Sequence, residues 1–193
     1  MAFEIVVVGA SIGGLKALQT LLSGLPADFH LPVVIVQHRG KGESDLCEFL
    51  TRRSSLPVTE PEDKETILPG HVYLAPTDYH LLVENGSFAL SIDPPIVFAR
   101  PSIDVLFESA AEEYQERAIG VILTGANYDG ARGLAEIKSR GGFTLVEDPA
   151  SATCREMPEA AIAQTKVDWI LPVQEIPACL ENLTNSVGIH YGR

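Results

Sequence analysis

Glu4-Ile5-Val6-Val7-Val8-Gly9-Ala10-Ser11-Ile12-Gly13-Gly14 opens the chain with an apolar run, a Gly-x-Ser-x-Gly-Gly turn and then the apolar spacing of a helix. An unbroken apolar run of this length fits a strand buried on both faces, as inside a parallel sheet. Ser11 therefore falls at a strand-to-helix turn, at the carboxyl end of that strand. There a hydroxyl stands clear of the backbone, and helix N-terminal amides lie close to any anion that forms. Phosphate-binding alternatives fit less well. A dinucleotide fingerprint needs glycine where Ser11 stands, so that a pyrophosphate can approach the backbone, and no Gly-Lys-Ser/Thr follows to make a P-loop. The turn reads as the seat of a nucleophile.

Working outward, β-rich apolar runs recur at 5–8, 32–36, 72–75, 119–123, 143–146 and 169–171, mostly with helical patterns between them. This alternation predicts an α/β fold, doubly wound, with a mainly parallel sheet and helices on both faces. After Pro101, the residues Ile103, Leu106, Phe107, Ala110, Ala111 and Tyr114 follow helical spacing, with Glu108, Glu112 and Glu113 on other faces. Gly141-Gly142 after the 133–140 segment predicts a helix C-cap before the next strand. One stretch departs from the alternation. Residues 79–84 and 87–92 flank Asn85-Gly86, the sequence of a tight antiparallel hairpin.

The chain has 193 residues, 46% of them hydrophobic, enough for one substantial core, and no linker-like segment divides it. A single domain over residues 1–193 is expected. Glu4 interrupts any leader-like start and no run reaches membrane-spanning length, so a cytoplasmic protein without membrane insertion is expected. Cys47, Cys154 and Cys179 are odd in number and widely spaced, which fits reduced structural thiols. With 14 basic and 26 acidic residues the formal net charge is -12, which opposes binding to nucleic acid or to an anionic membrane surface. His71, His80 and His190 show no metal-ligand spacing, so neither a metal nor a cofactor is expected.

In an open parallel sheet, functional groups gather beyond the carboxyl ends of the strands. Three residues there stand out: Ser11 after the first strand, His38 after Val33-Val34-Ile35-Val36-Gln37, and Asp129 in the turn after Gly120-Val121-Ile122-Leu123. They are the residue types of a hydrolytic triad. A serine hydroxyl is a poor nucleophile at neutral pH and needs an imidazole to take its proton, while a carboxylate on the other ring nitrogen fixes the tautomer. This reading places Ser11 Oγ near hydrogen-bond distance of His38 Nε2, with Asp129 behind. The plainer reading of Asp129, just before Gly130, is a cap on the helix that starts there.

Six ordered blocks then carry a family resemblance: Gly9-Ala10-Ser11-Ile12-Gly13-Gly14, Val36-Gln37-His38, Leu68-Pro69-Gly70-His71-Val72-Tyr73-Leu74-Ala75-Pro76, Arg100-Pro101-Ser102-Ile103-Asp104-Val105-Leu106-Phe107, Leu123-Thr124-Gly125 through Asp129-Gly130-Ala131, and Met157-Pro158-Glu159-Ala160-Ala161-Ile162. Spanning nearly the whole chain, they resemble the catalytic domain of CheB-type protein-glutamate methylesterases. The resemblance implies hydrolysis of glutamyl γ-methyl esters on the cytoplasmic helices of methylated chemoreceptors, with glutamine deamidation as a related activity. It makes Ser11 the nucleophile, His38 the general base and Asp129 its orienting carboxylate, and it puts the Ala126 backbone amide in the oxyanion hole. Family members often carry methionine at the position of Ala126 and a small or hydroxylated residue at that of Ile12. His38 is followed by Arg39-Gly40-Lys41-Gly42 rather than the common Met-Pro.

Familiar family members carry an N-terminal receiver domain, whereas here the esterase strand begins at residue 5. The expectation is a free-standing esterase, constitutively active or governed by a partner such as a receptor methyltransferase or a separate receiver protein. Two other functions are compatible with the residues: a non-catalytic receptor- or partner-binding module derived from a methylesterase, and a small-molecule esterase using the same triad.

Overall fold

The computed structural model describes residues 2–39 and 46–185. Gly40, Lys41, Gly42 and His190, weighed above, lie outside the described residues. In chain order the elements are β1 (Ile5–Ala10), α1 (Gly14–Gly24), β2 (Val33–Gln37), α2 (Leu46–Thr51), β3 (Val58–Thr59), β4 (Val72–Leu74), β5 (His80–Glu84), β6 (Ser87–Ser91), α3 (Ile103–Tyr114), β7 (Ala118–Ile122), α4 (Ala131–Ser139), β8 (Phe143–Glu147), α5 (Glu156–Gln164), β9 (Trp169–Leu171) and α6 (Ile176–Asn185). Seven strands form one parallel sheet in the order β3-β4-β2-β1-β7-β8-β9, and β5 with β6 makes a separate antiparallel pair. The doubly wound, mainly parallel architecture with a hairpin is as the alternation predicts. The two-residue β3 and the short α2 are additional, too brief to generate a period in the sequence.

Strand alternation divides the core into two layers. Val6 and Val8 face α1, α2 and α6, joining Leu18, Leu21, Leu50, Ile176 and Leu180, while Ile5 and Val7 face α3, α4, α5 and the hairpin, joining Leu106, Phe107, Leu134, Met157, Leu81 and Phe88. All six residues of β1 are buried, which explains its uniformly apolar sequence. Asn85 and Gly86 both have positive φ, 51° and 71°, the backbone that a two-residue type I′ hairpin turn needs. At the end of α4, Gly142 N donates to Ile137 O at 2.9 Å and Gly141 takes φ 87°, closing the helix in the left-handed conformation the Gly-Gly pair favours.

The connections from β1 run toward β2 on one side, while β7 enters on the other, so the winding order of the sheet reverses between β1 and β7. Such a switch point leaves a crevice at the carboxyl ends of the strands. The start of α3 is drawn tightly against this crevice. A Cβ at Gly9 would stand 2.3 Å from Ile103 Cγ2, and one at Gly130 only 2.6 Å from the same atom. Two glycines thus let the first turn of α3 wedge between the ends of β1 and α4. Among the described residues no helix is long and apolar enough to cross a membrane.

Candidate active site

Ser11 follows directly on β1 and is 9% exposed. Its backbone is held from three sides: Ser11 N donates to Thr124 O (2.9 Å), and Ser11 O accepts from Gly14 N (2.8 Å) and Gln37 Nε2 (2.9 Å). The turn leads into α1 through Gly13, whose φ of 81° requires the left-handed region that glycine occupies freely. His38 follows β2, and its N donates to Ala10 O at 3.0 Å, one more rung on the parallel ladder. Ser11 and His38 therefore sit on neighbouring strand ends. Ser11, His38, Ala126, Asn127 and Tyr128 line one open cavity of about 790 Å³.

Asp129 is completely buried and its two oxygens accept four hydrogen bonds. Oδ1 receives Ser102 Oγ (2.8 Å) and Asp104 N (3.1 Å); Oδ2 receives Ile103 N (2.7 Å) and lies 2.8 Å from His38 Nε2. Burial alone would raise its pKa, but the His38 contact and the two α3 amides outweigh burial and hold the carboxyl below its ordinary value. The carboxylate does cap a helix, though not the expected one: it caps α3. The start of α4 is served instead by Asp104 of α3, whose Oδ1 accepts from Gly130 N (2.9 Å) and Gly133 N (2.8 Å). The two helices thus exchange carboxylate caps. Burial raises Asp104 above the usual carboxyl range, partly offset by the Gly133 amide, and the Asp129 charge adds to the rise.

One expectation needs correcting. His38 Nε2, expected to face Ser11, faces Asp129 instead. Ser11 Oγ makes no hydrogen bond to His38 among the described residues; His38 Nδ1 lies 3.4 Å from Asn127 Nδ2. The reason is the pinned carboxylate, fixed by α3 on the Nε2 side of the ring. An ionised Asp129 can only accept, so Nε2 carries the hydrogen and Nδ1 holds the lone pair. Nδ1 is thus the basic nitrogen. Asn127 was not legible as a site residue, although Asn127-x-Asp129 is an Asx-turn pattern: its Oδ1 accepts from Asp129 N at 3.0 Å.

Thr124 joins the serine turn to the next loop. Its Oγ1 donates to Ile12 O (2.8 Å) and accepts from Cys154 N (2.8 Å), and its N donates to Glu147 Oε2 (2.8 Å) at the end of β8. Ala126 follows two residues later and lines the cavity, while Ile12 at the serine turn is exposed but is not among the lining residues. Arg39 and Arg100 line the cavity and are engaged by neighbouring groups, as is Arg52 after α2, which does not line it. Arg39 pairs with Glu60 and the Ala75 carbonyl, Arg52 pairs with Glu48, and Arg100 donates to Ile92 O and Asp93 O. His80, which showed no metal-ligand spacing, is buried between Pro94 O and Ser102 N, a structural position. A second cavity of about 710 Å³ between the hairpin, α3 and α4 is lined by Glu84, Glu108, Ser109, Glu112, Arg132 and Glu136 among others; the Ser109 hydroxyl is engaged by Leu106 O and Val83 N, and no histidine or cysteine lines it.

A serine on one strand end and an imidazole anchored by a buried carboxylate on the next is an arrangement suited to nucleophilic hydrolysis. The CheB methylesterase family model matches residues 6–180. A Leptospira interrogans relative, provisionally named a protein-glutamate methylesterase/protein-glutamine glutaminase, is 47% identical over 178 residues, covering 91% of this chain and 92% of that one. The protein-glutamate methylesterase/protein-glutamine glutaminase 2 of Anaeromyxobacter dehalogenans is 44% identical over 182 residues, 94% of this chain but 53% of its own. The crystal structure of the Thermotoga maritima CheB methylesterase catalytic domain superposes with a TM-score of 0.89 at 38% identity, covering 95% of this chain and all of that one. Sequence and fold agree, and the chain belongs to the CheB methylesterase family.

Proposed function

We propose that this chain is a single catalytic domain that hydrolyses glutamyl γ-methyl esters on chemoreceptor-type helices, releasing methanol. We also assign it deamidation of glutamine at equivalent positions. The observation that carries this reading is the shared cavity of Ser11 and the Asp129-anchored His38, and the double names of its relatives support both activities.

In this mechanism Ser11 Oγ attacks the ester carbonyl as its proton passes to His38 Nδ1, which requires Asn127 Nδ2 to release its 3.4 Å contact. Asp129 keeps Nε2–H in place and stabilises the imidazolium. The oxyanion of the tetrahedral intermediate is met by the Ala126 amide; a donor of this kind contributes roughly 3 kcal/mol of transition-state stabilisation. Collapse expels methanol, which takes the proton from Nδ1. Water, activated by the same nitrogen, then releases glutamate and regenerates the serine. With glutamine the leaving group is ammonia.

Charge adds a preference for the esterified substrate. A protein of net charge -12 repels helices that expose glutamates, and methylation neutralises those carboxylates. The experiment is methanol release from methyl-labelled receptor membranes, compared with release from a small glutamyl methyl ester. Turnover of the receptor ester supports the proposal. Hydrolysis of the small ester alone overturns the receptor substrate in favour of a small-molecule esterase, and inertness toward both overturns the catalytic reading.

A further inference from the structure

We propose that Gln37 is a positioning residue that fixes the Ser11 and His38 peptides relative to one another, an inference that rests on the Ser11–His38 reading above. Gln37 ends β2, pairs with Ala10 across the β1–β2 ladder and is 7% exposed. The backbone ladder closes with His38 N on Ala10 O at 3.0 Å. Beyond that rung the Gln37 side chain continues the pairing: Nε2 donates to Ser11 O at 2.9 Å and to His38 O at 2.8 Å. A primary amide has two N–H groups. Here one is spent on the peptide of each residue that must cooperate.

The other end of the same amide shows that the fold alone does not account for it. Gln37 Oε1 is buried and has no hydrogen-bond partner among the described residues. An orphaned buried acceptor is destabilising, and methionine would fill the space without one. The amide is the closest neighbour that requires a glycine on the facing helix, because a Cβ at Gly14 would stand 1.9 Å from Oε1 and 2.9 Å from the Ala10 Cβ. The second glycine of Gly13-Gly14 and the glutamine of Val36-Gln37-His38 are therefore one device. The donor end keeps the nucleophile and base in register, and the unpaired acceptor is what that register costs.

The test measures Ser11 reactivity without a receptor, using a fluorophosphonate probe: Ser11 Oγ bonds to phosphorus, fluoride leaves and the serine proton passes to His38. Wild type, Ser11→Ala, Gln37→Met and Gln37→Glu are compared for labelling rate, probe affinity and Tm. Gln37→Met removes the orphaned Oε1 but also the donor to His38 O, so Tm is expected to stay near wild type, with probe affinity unchanged and labelling at least about tenfold slower, the mark of lost transition-state alignment. In Gln37→Glu a carboxylate opposes two carbonyl oxygens, and protonation restores one donor. Its rate relative to wild type should therefore rise as pH falls. Gln37→Met labelling within twofold of wild type, or slowing only in proportion to unfolded protein, overturns this inference alone. A wild type that labels no faster than Ser11→Ala overturns the Ser11–His38 reading and this inference with it.

Discussion

Replacing Asp129 with asparagine removes one charge and keeps the shape, and the four hydrogen bonds at that carboxylate determine how the amide must sit. With Oδ1 toward Ile103 N and His38 Nε2, the new NH2 faces Ser102 Oγ, which can rotate to accept, and Asp104 N, which is left unpaired; that was the longest of the four bonds at 3.1 Å. The opposite orientation abandons the 2.7 Å bond from Ile103 and forces His38 to carry its hydrogen on Nδ1. The first orientation wins. Asp129→Asn then keeps the productive tautomer and loses only the charge beside the imidazolium. A hydrogen bond to a charged group contributes roughly 1.5–3 kcal/mol, so kcat should fall about ten- to two-hundred-fold. The orphaned Asp104 amide should cost roughly 1–3 kcal/mol of stability. Because the folded Asp129 pKa is depressed, its stabilisation is present above the unfolded value of 3.8 and is lost as pH falls through the folded value. The stability gap between wild type and variant should therefore narrow only in strong acid. Methanol release and chemical denaturation against pH measure both effects. A loss of about 10⁴ in kcat would mean an inverted tautomer, and a loss under about threefold would mean that Asp129 does not support the base; either result rules out this role for the carboxylate.

Two further substitutions test the surroundings of the site. Burial raises the Glu147 carboxyl above its usual range, with partial relief from the Thr124 amide, so its ionised form destabilises the fold at neutral pH and the penalty disappears as pH falls through the folded pKa. Glu147→Gln retains an acceptor for Thr124 N and should raise Tm at pH 8, with the advantage shrinking on acidification; a gain that is constant with pH would contradict this. Val97 and Phe98 occupy the turn between Ile96 and Ala99 with φ of 49° and 62°, the left-handed region that a β-branched residue tolerates poorly. Val97→Asn should therefore stabilise the protein by roughly 1 kcal/mol, read from the denaturation midpoint at unchanged slope, and an unchanged or lower midpoint would count against the strain.

Most of the sheet could be read directly from the sequence, because a strand buried on both faces, such as β1, has no reason to carry polar residues. β3 was invisible: Val58–Thr59 is two residues long and owes its pairing to β4 rather than to any local pattern. Strand ends pointed to Ser11, His38 and Asp129 as candidates. They did not identify which imidazole nitrogen meets the carboxylate, since that depends on α3 delivering Ser102, Ile103 and Asp104 to Asp129 across 25 to 27 residues of chain. The cap reading of Asp129 had the right chemistry and the wrong helix for the same reason. Gln37 and Asn127 were equally illegible as partners, because their roles are made by strand register and by a turn that closes only in the folded chain.

Whether Ser11 is the nucleophile of an ester hydrolase is decided by measuring methanol from methyl-labelled receptor membranes with wild type and Ser11→Ala side by side. Wild type should release methanol steadily and Ser11→Ala only at the enzyme-free rate, with its Tm preserved. Equal release by the two proteins would contradict that role for Ser11.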